Sequence, residues 1–86
     1  MPEISRFFGI VIAMYHNDHG AAHFHARYGS FKAKILIDPP TLLAGDLPPR
    51  ALGMVFEWAA LHRRELEENC RAAMERRPTH RIEPLR

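Results

Sequence analysis

The segment that most constrains this chain is Tyr28-Gly29-Ser30-Phe31, which joins two runs of alternating side chains. Glycine at the first position of a two-residue loop suits a type II′ turn. This turn predicts an antiparallel hairpin of the strands His23 to Tyr28 and Phe31 to Asp38. Because successive side chains of a strand point to opposite faces, the turn also fixes which residues share each face.

The two faces of the predicted hairpin differ in their chemistry. One face pairs Tyr28 with Phe31, Ala26 with Ala33, and Phe24 with Ile35. The other face pairs His23 with Leu36, His25 with Lys34, and Arg27 with Lys32. The first face is apolar and predicts contact with a core. The second face collects positive side chains, and the phosphate or carboxylate groups of a partner would relieve their repulsion.

The rest of the sequence predicts one further strand, an edge strand and a helix. The apolar run Phe7 to Tyr15 predicts a strand that is covered on both faces. Thr41 to Leu43 predicts a short edge strand. After Leu47-Pro48-Pro49, apolar residues recur at helical spacing as far as Pro78. This spacing predicts one helix over 49–76, about 40 Å long at 1.5 Å per residue.

Together these elements predict a single α+β domain over residues 1–86. Its β-hairpin half at 5–46 would form an antiparallel sheet of three to four strands. The long helix at 49–76 would cover the apolar face of that sheet, and a tail would follow at 78–86.

Composition limits the compartment and the function. The chain has 86 residues, of which 47% are hydrophobic and 26% charged, as in folded globular domains. Cys70 is the one cysteine, which fits a reducing cytoplasm. The apolar runs are too short to span a bilayer, so we expect a cytoplasmic protein without a membrane anchor. There is no glycine-rich phosphate loop, serine nucleophile motif or carboxylate dyad, so nucleotide hydrolysis and acyl transfer have no support.

A group of histidines borders the cationic face. His23 and His25 lie two residues apart on a strand, so their side chains project from the same side. With His19 they would form a site for a divalent metal such as zinc, with one position left open for water. Arg27 and Lys34 oppose a cation there, since two unit charges about 5 Å apart repel by roughly 3 kcal/mol at an effective dielectric near 20. We therefore expect no cofactor and keep the metal site as an alternative to a plain polar hairpin.

The same face offers a chemistry that needs no metal. If RNA is the ligand, Arg27 and the lysines Lys32 and Lys34 would hold its phosphates. His23 and His25 would then exchange protons with the 2′-hydroxyl and the leaving oxygen, which makes these two residues and Arg27 the candidate catalytic set. The competing interpretation is that the stripe is an ordinary solvated surface.

Three segments of the chain are similar to a known bacterial family. They are Pro2 to Ile10, HFHARYG from His23 to Gly29, and Glu57-Trp58-Ala59 with Leu61-His62-Arg63. They resemble the domain-of-unknown-function family numbered 4160 over nearly the whole chain. This resemblance implies a marked motif at Asp18, His19, His23, Phe24, His25 and His62, whereas helical spacing alone makes His62 typical of a core or edge histidine. The family commonly has two prolines where this chain has Ala21-Ala22, so its loop is less constrained here.

The resemblance also implies a partner. Members of the family look like one component of toxin–antitoxin pairs whose other protein belongs to the domain-of-unknown-function family numbered 2442. The leading hypothesis is therefore a component of such a two-protein module, a toxin that targets RNA. One alternative is a noncatalytic interaction or regulatory protein that pairs with that cognate protein or forms a homodimer. The other alternative is a small metal-binding protein that uses the histidines.

Overall fold

The computed structural model describes residues 3–15 and 20–86, which form a five-stranded sheet and two helices. The elements are β1 Glu3–Phe7, β2 Ile10–Ala13, β3 His23–Tyr28, β4 Phe31–Leu36, β5 Thr41–Gly45, α1 Pro49–Leu61 and α2 Arg63–Met74. Neighbouring strands pair antiparallel in the order β1-β2-β3-β4-β5. The predicted α+β class is confirmed, whereas the predicted three to four strands and single helix are too few.

The hairpin of β3 and β4 has the predicted register. Tyr28 pairs with Phe31, and the pairing continues to His23 opposite Leu36. Gly29 has a φ of 58°, and Ser30 does not share a positive φ, as a type II′ turn requires. The local turn chemistry and the alternation of side chains are therefore sufficient to fix this part of the fold.

The additional strand arises from a turn at Phe8 and Gly9. Phe7 pairs with Ile10, so the run Phe7 to Tyr15 is not one strand, contrary to the prediction. Both turn residues have a positive φ, 49° for Phe8 and 80° for Gly9, which is the requirement of a type I′ turn. Phenylalanine is rare in this backbone conformation, and so the turn has no usual sequence signal.

The core lies between the sheet and the two helices. The sheet contributes Ile4, Phe7, Ile10, Ile12, Phe24, Ala26, Ala33 and Ile35. The helices contribute Ala51, Val55, Trp58, Ala59 and Leu66. The core therefore lies on the face of the sheet that includes the apolar face of the predicted hairpin.

The helical half is interrupted at His62. This residue has a φ of −118° and a ψ of 28°, so α1 ends at Leu61 and α2 begins at Arg63. The prediction of one helix over 49–76 is therefore wrong. An unbroken helix of about 40 Å would be longer than the whole fold, whose largest extent is 33 Å. The break lets the second helix stay on the sheet, and no proline or glycine marks it in the sequence.

The segment after α2 packs back on the sheet and the helices. The amide of Ile82 donates to the carbonyl oxygen of Ile4 on β1, at 2.8 Å. The indole Nε1–H of Trp58 donates to the carbonyl oxygen of Glu83, also at 2.8 Å. Ile82 is buried in the core. Within the described residues, no helix has the length and apolar character that crossing a membrane requires.

Asn69 on α2 holds the start of this tail. Its side-chain amide donates to the carbonyl oxygen of His80 at 2.7 Å, and its Oδ1 accepts from the amide of the same residue at 3.0 Å. Asn69 is buried, and the two backbone groups of one tail residue, His80, satisfy both the donor and the acceptor of its side chain.

Replacing Asn69 with Leu is expected to lower the free energy of unfolding by about 2–3 kcal/mol, because the variant loses both hydrogen bonds of a buried side chain at similar volume. It should also speed tryptic cleavage after Arg81, which Ile82 follows. Urea denaturation and timed proteolysis measure these effects. The matched control is Glu68→Leu, an exposed position on the same helix, which should change stability by less than about 0.5 kcal/mol. An unchanged urea midpoint for Asn69→Leu would contradict this account of the tail.

Replacing Phe8 with Asn is expected to raise stability by about 1 kcal/mol, because asparagine adopts the left-handed conformation of a type I′ turn at lower cost. For a domain of this size that corresponds to a rise in melting temperature of about 4–8 °C. Phe31→Asn is the control, since Phe31 is an exposed aromatic with no positive φ to relieve. A lower melting temperature for Phe8→Asn than for the wild type would show that contacts of the Phe8 ring outweigh the strain.

Candidate functional site

The face of the sheet that points away from the helices carries a groove of about 400 Å³. Four basic side chains of the central strands line it: His25 and Arg27 from β3, and Lys32 and Lys34 from β4. Small or apolar residues flank them, namely Val11 and Ala13 from β2 and Ala44 and Gly45 from β5. We call this surface the cationic groove. It is the basic face that the hairpin register predicts.

The basic residues of the cationic groove face one another. Arg27 lies opposite Lys32, and His25 lies opposite Lys34. Directly opposed side chains have Cβ atoms about 4.5–5.5 Å apart, so the like charges of Arg27 and Lys32 are destabilising. The described residues contain no ion pair that involves Arg27, Lys32 or Lys34. The groove therefore concentrates positive charge.

Arg6, another arginine of the sheet, differs from Arg27 because it has a carboxylate partner. Arg6 on β1 forms a salt bridge with Glu3 at 2.8 Å. The hydrogen bond from Arg6 is the main cause that lowers the pKa of the Glu3 carboxyl, and Arg81 of the tail lowers it further. Arg6 and Glu3 therefore neutralise each other at the edge of the sheet, whereas the cationic groove lies at its centre.

The structure brings His23 and His25 together, with ring centroids 5.2 Å apart. His23 is only 5% exposed, and its Nδ1 lies 2.7 Å from the carbonyl oxygen of Ala21. Because a carbonyl oxygen can only accept, Nδ1 of His23 carries the proton in this contact. His25 is partly exposed and lines the cationic groove, while His23 borders a cavity of only about 10 Å³ beside α2. The two rings therefore have different access to a ligand.

Two of the predicted binding residues, Asp18 and His19, lie outside the described residues. His19 is also the third ligand of the predicted metal site. No cluster of three metal-ligating side chains occurs in residues 3–15 and 20–86. The metal site of His19, His23 and His25 thus stays a prediction.

His62 lies apart from the residues that line the cationic groove. Its ring packs against Trp58 with centroids 5.6 Å apart, and its Nδ1 donates to Glu65 at 2.7 Å. The contacts that the structure gives His62 join the two helices at their junction. Its predicted binding role stays a prediction.

Tyr15 is the site residue that the sequence interpretation missed. It is 40% exposed, lines the cationic groove, and its ring packs edge-on against His25 with centroids 4.9 Å apart. Val11, Ala13 and Tyr15 alternate along the chain and share one face. The pairing of β2 with β3 places Val11 opposite Arg27 and Ala13 opposite His25, which brings this face beside the basic residues.

The fold and the groove define a small α+β protein with an open, basic sheet face. Residues 9–70 match the family described as Domain of unknown function (DUF4160). Because the match spans more than half of the chain, this protein belongs to the DUF4160 family. No curated protein and no solved structure matches it. The whole cationic groove lies inside the matched segment, whereas β1 and the tail lie outside it.

Replacing Lys32 with Glu is expected to raise the melting temperature of the free protein, because it places an opposite charge across from Arg27. A cross-strand charge pair is worth about 0.2–1 kcal/mol. Thermal unfolding at low salt and in 1 M NaCl measures it, and screening should remove most of the gain at the higher salt. Lys32→Gln removes the repulsion without adding an attraction, so it should raise the melting temperature by less. Equal melting temperatures of the wild type and both variants at low salt would show that the basic side chains do not repel appreciably.

Proposed function

We propose that this protein binds single-stranded RNA through the cationic groove. The observation that carries the proposal is the pair of opposed basic contacts, Arg27 with Lys32 and His25 with Lys34, at the centre of the open sheet face. A phosphate group between Arg27 and Lys32 would convert their repulsion into charge-assisted hydrogen bonds, and Lys34 would hold a second phosphate. Phosphate contacts of this kind supply most of the affinity of sequence-independent nucleic-acid binding.

The shape of the groove favours a single strand over a duplex. An open sheet face with aromatic side chains can stack bases that are not paired, and base stacking on an aromatic ring is worth about 1–3 kcal/mol. Tyr15 supplies such a ring next to His25. The small side chains of Ala13 and Ala44 let a base or a sugar approach the sheet closely. His25 adds a hydrogen-bonding group for the 2′-hydroxyl that distinguishes RNA from DNA.

The geometry supports binding better than cleavage. An acid and base pair must both reach the reacting oxygens within hydrogen-bond distance. His25 lies in the cationic groove, but His23 is 5% exposed and donates from Nδ1 to the carbonyl oxygen of Ala21. We therefore assign His25 and Arg27 to ligand contacts and His23 to positioning the ring of His25.

The resemblance to components of toxin–antitoxin pairs fits an RNA-binding surface of this kind. In that setting the protein would be the RNA-directed member of a two-protein module. Its partner would regulate access to RNA or bring the protein to it.

The proposal predicts that Lys34→Glu weakens binding of RNA at least tenfold, which corresponds to about 1.4 kcal/mol. Fluorescence anisotropy with a labelled oligouridine of about twelve nucleotides, within the usual site size of such surfaces, measures the affinity. For the wild type, log K should fall with log salt with a slope near −2, from about three phosphate contacts at −0.7 each on a single strand. The slope should be shallower for the variant.

The matched control is Arg64→Glu, which makes the same change of formal charge at an exposed position on α2. An equal loss of affinity in both variants would mean that net charge, and not the cationic groove, attracts RNA. Absence of saturable binding by the wild type at low salt would refute the proposed function.

A further inference from the structure

A second groove lies at the turn end of the sheet, beside the start of α1. It has a volume of about 360 Å³ and is lined by Phe8, Tyr28, Pro48, Arg50, Ala51 and Met54. Phe8 is 60% exposed, and Phe31, which pairs with Tyr28, is also exposed. We call this surface the aromatic groove. Tyr28 belongs to the apolar face of the hairpin, so the aromatic groove and the cationic groove use opposite faces of the sheet.

The composition of the aromatic groove is that of a protein interface. Aromatic residues, methionine and arginine are enriched at the centres of such interfaces, and tyrosine and arginine are frequent among the residues that dominate binding energy. Four of the six lining residues belong to these types: Phe8, Tyr28, Arg50 and Met54. Exposed apolar grooves of this kind mark interaction sites more often than ordinary surface.

The conformation of Phe8 supports the same conclusion. A left-handed backbone costs a residue other than glycine about 1–2 kcal/mol. At this turn position asparagine would avoid most of that cost. Strained residues of this kind cluster at functional sites. The turn places the large ring of Phe8 in solvent at the edge of the groove instead of in the core.

The charge of Arg50 indicates what kind of molecule binds in the aromatic groove. Arg50 is the one charged residue among those that line the aromatic groove. It forms no ion pair with any residue in the described part of the chain. The first turn of α1 also contains no acidic side chain. A contact of the aromatic groove with the same groove of a second copy would offer Arg50 no carboxylate, because no acidic residue lines it, whereas a carboxylate of a different chain would complement Arg50.

We propose that the aromatic groove binds a short segment of a partner protein in which an apolar side chain lies next to an aspartate or a glutamate. The apolar side chain packs against Phe8, Tyr28 and Met54, and the carboxylate pairs with Arg50. Because the two grooves lie on opposite faces, the protein can hold this segment and RNA at the same time. The inference stands independently of the proposed RNA binding.

Selection from a phage-displayed library of random peptides tests the proposal with the full-length protein. The enriched peptides are expected to share an apolar or aromatic residue adjacent to an acidic one. A representative selected peptide should lose at least tenfold in affinity for Phe8→Asn, measured by calorimetry, while Leu61→Asn, an exposed leucine at the far end of α1, leaves the affinity unchanged. Phe8→Asn is expected to be at least as stable as the wild type, so its loss of binding does not reflect misfolding.

Reversing the charge of Arg50 tests directly whether this residue selects an acidic peptide. Selection against Arg50→Glu should enrich peptides with lysine or arginine next to the apolar residue. Enrichment of the same acidic peptides by both proteins would overturn the proposal. So would selected peptides that bind Phe8→Asn as tightly as the wild type, or no enrichment at all. Self-association of the wild type that Phe8→Asn abolishes would assign the groove to a second copy and also overturn it.

Discussion

The fold depends on the side chain of Trp58, which is fully buried where the sheet, the helices and the tail meet. Its ring lies 5.4 Å from Phe7 and 5.8 Å from Phe24, centroid to centroid, and so it packs on two strands at once. It also packs on His62 at the junction of the helices, and its indole N–H bonds to the tail. A small domain has few buried residues to stabilise it. One large aromatic that contacts each part of the fold therefore sets the positions of all of them.

The position of Trp58 also explains why the helices and the tail lie on one face of the sheet and leave the other face to the cationic groove. Both helices and the tail pack on the side of Phe7 and Phe24, and the remaining side carries the cationic groove. Basic residues on this side add little to stability and repel one another. A sheet selected for stability alone would place opposite charges there. The charge distribution therefore fits binding better than folding.

The sequence predicts those features that depend on local chemistry. Gly29 and the alternation around it determine the β3–β4 register, and with it the basic residues of the site. The turn at Phe8 escapes prediction because its first residue contradicts the usual preference for that conformation. The break at His62 reflects the small size of the sheet, and the docking of Ile82 depends on a surface that exists only after folding. Tyr15 is missed because its place beside His25 depends on the pairing of β2 with β3, a tertiary pairing that local chemistry does not fix.

The hydrogen bond between Ile82 and Ile4 closes a loop that contains nearly the whole chain. Contacts of such long sequence separation carry a large entropic cost and form after the local pairings of the meander. The outer edge of β1 therefore stays uncovered at Ile4 until the tail has docked. An uncovered strand edge is a template for pairing with other chains. The docked tail thus occupies part of the edge of β1 that another chain would need for such pairing.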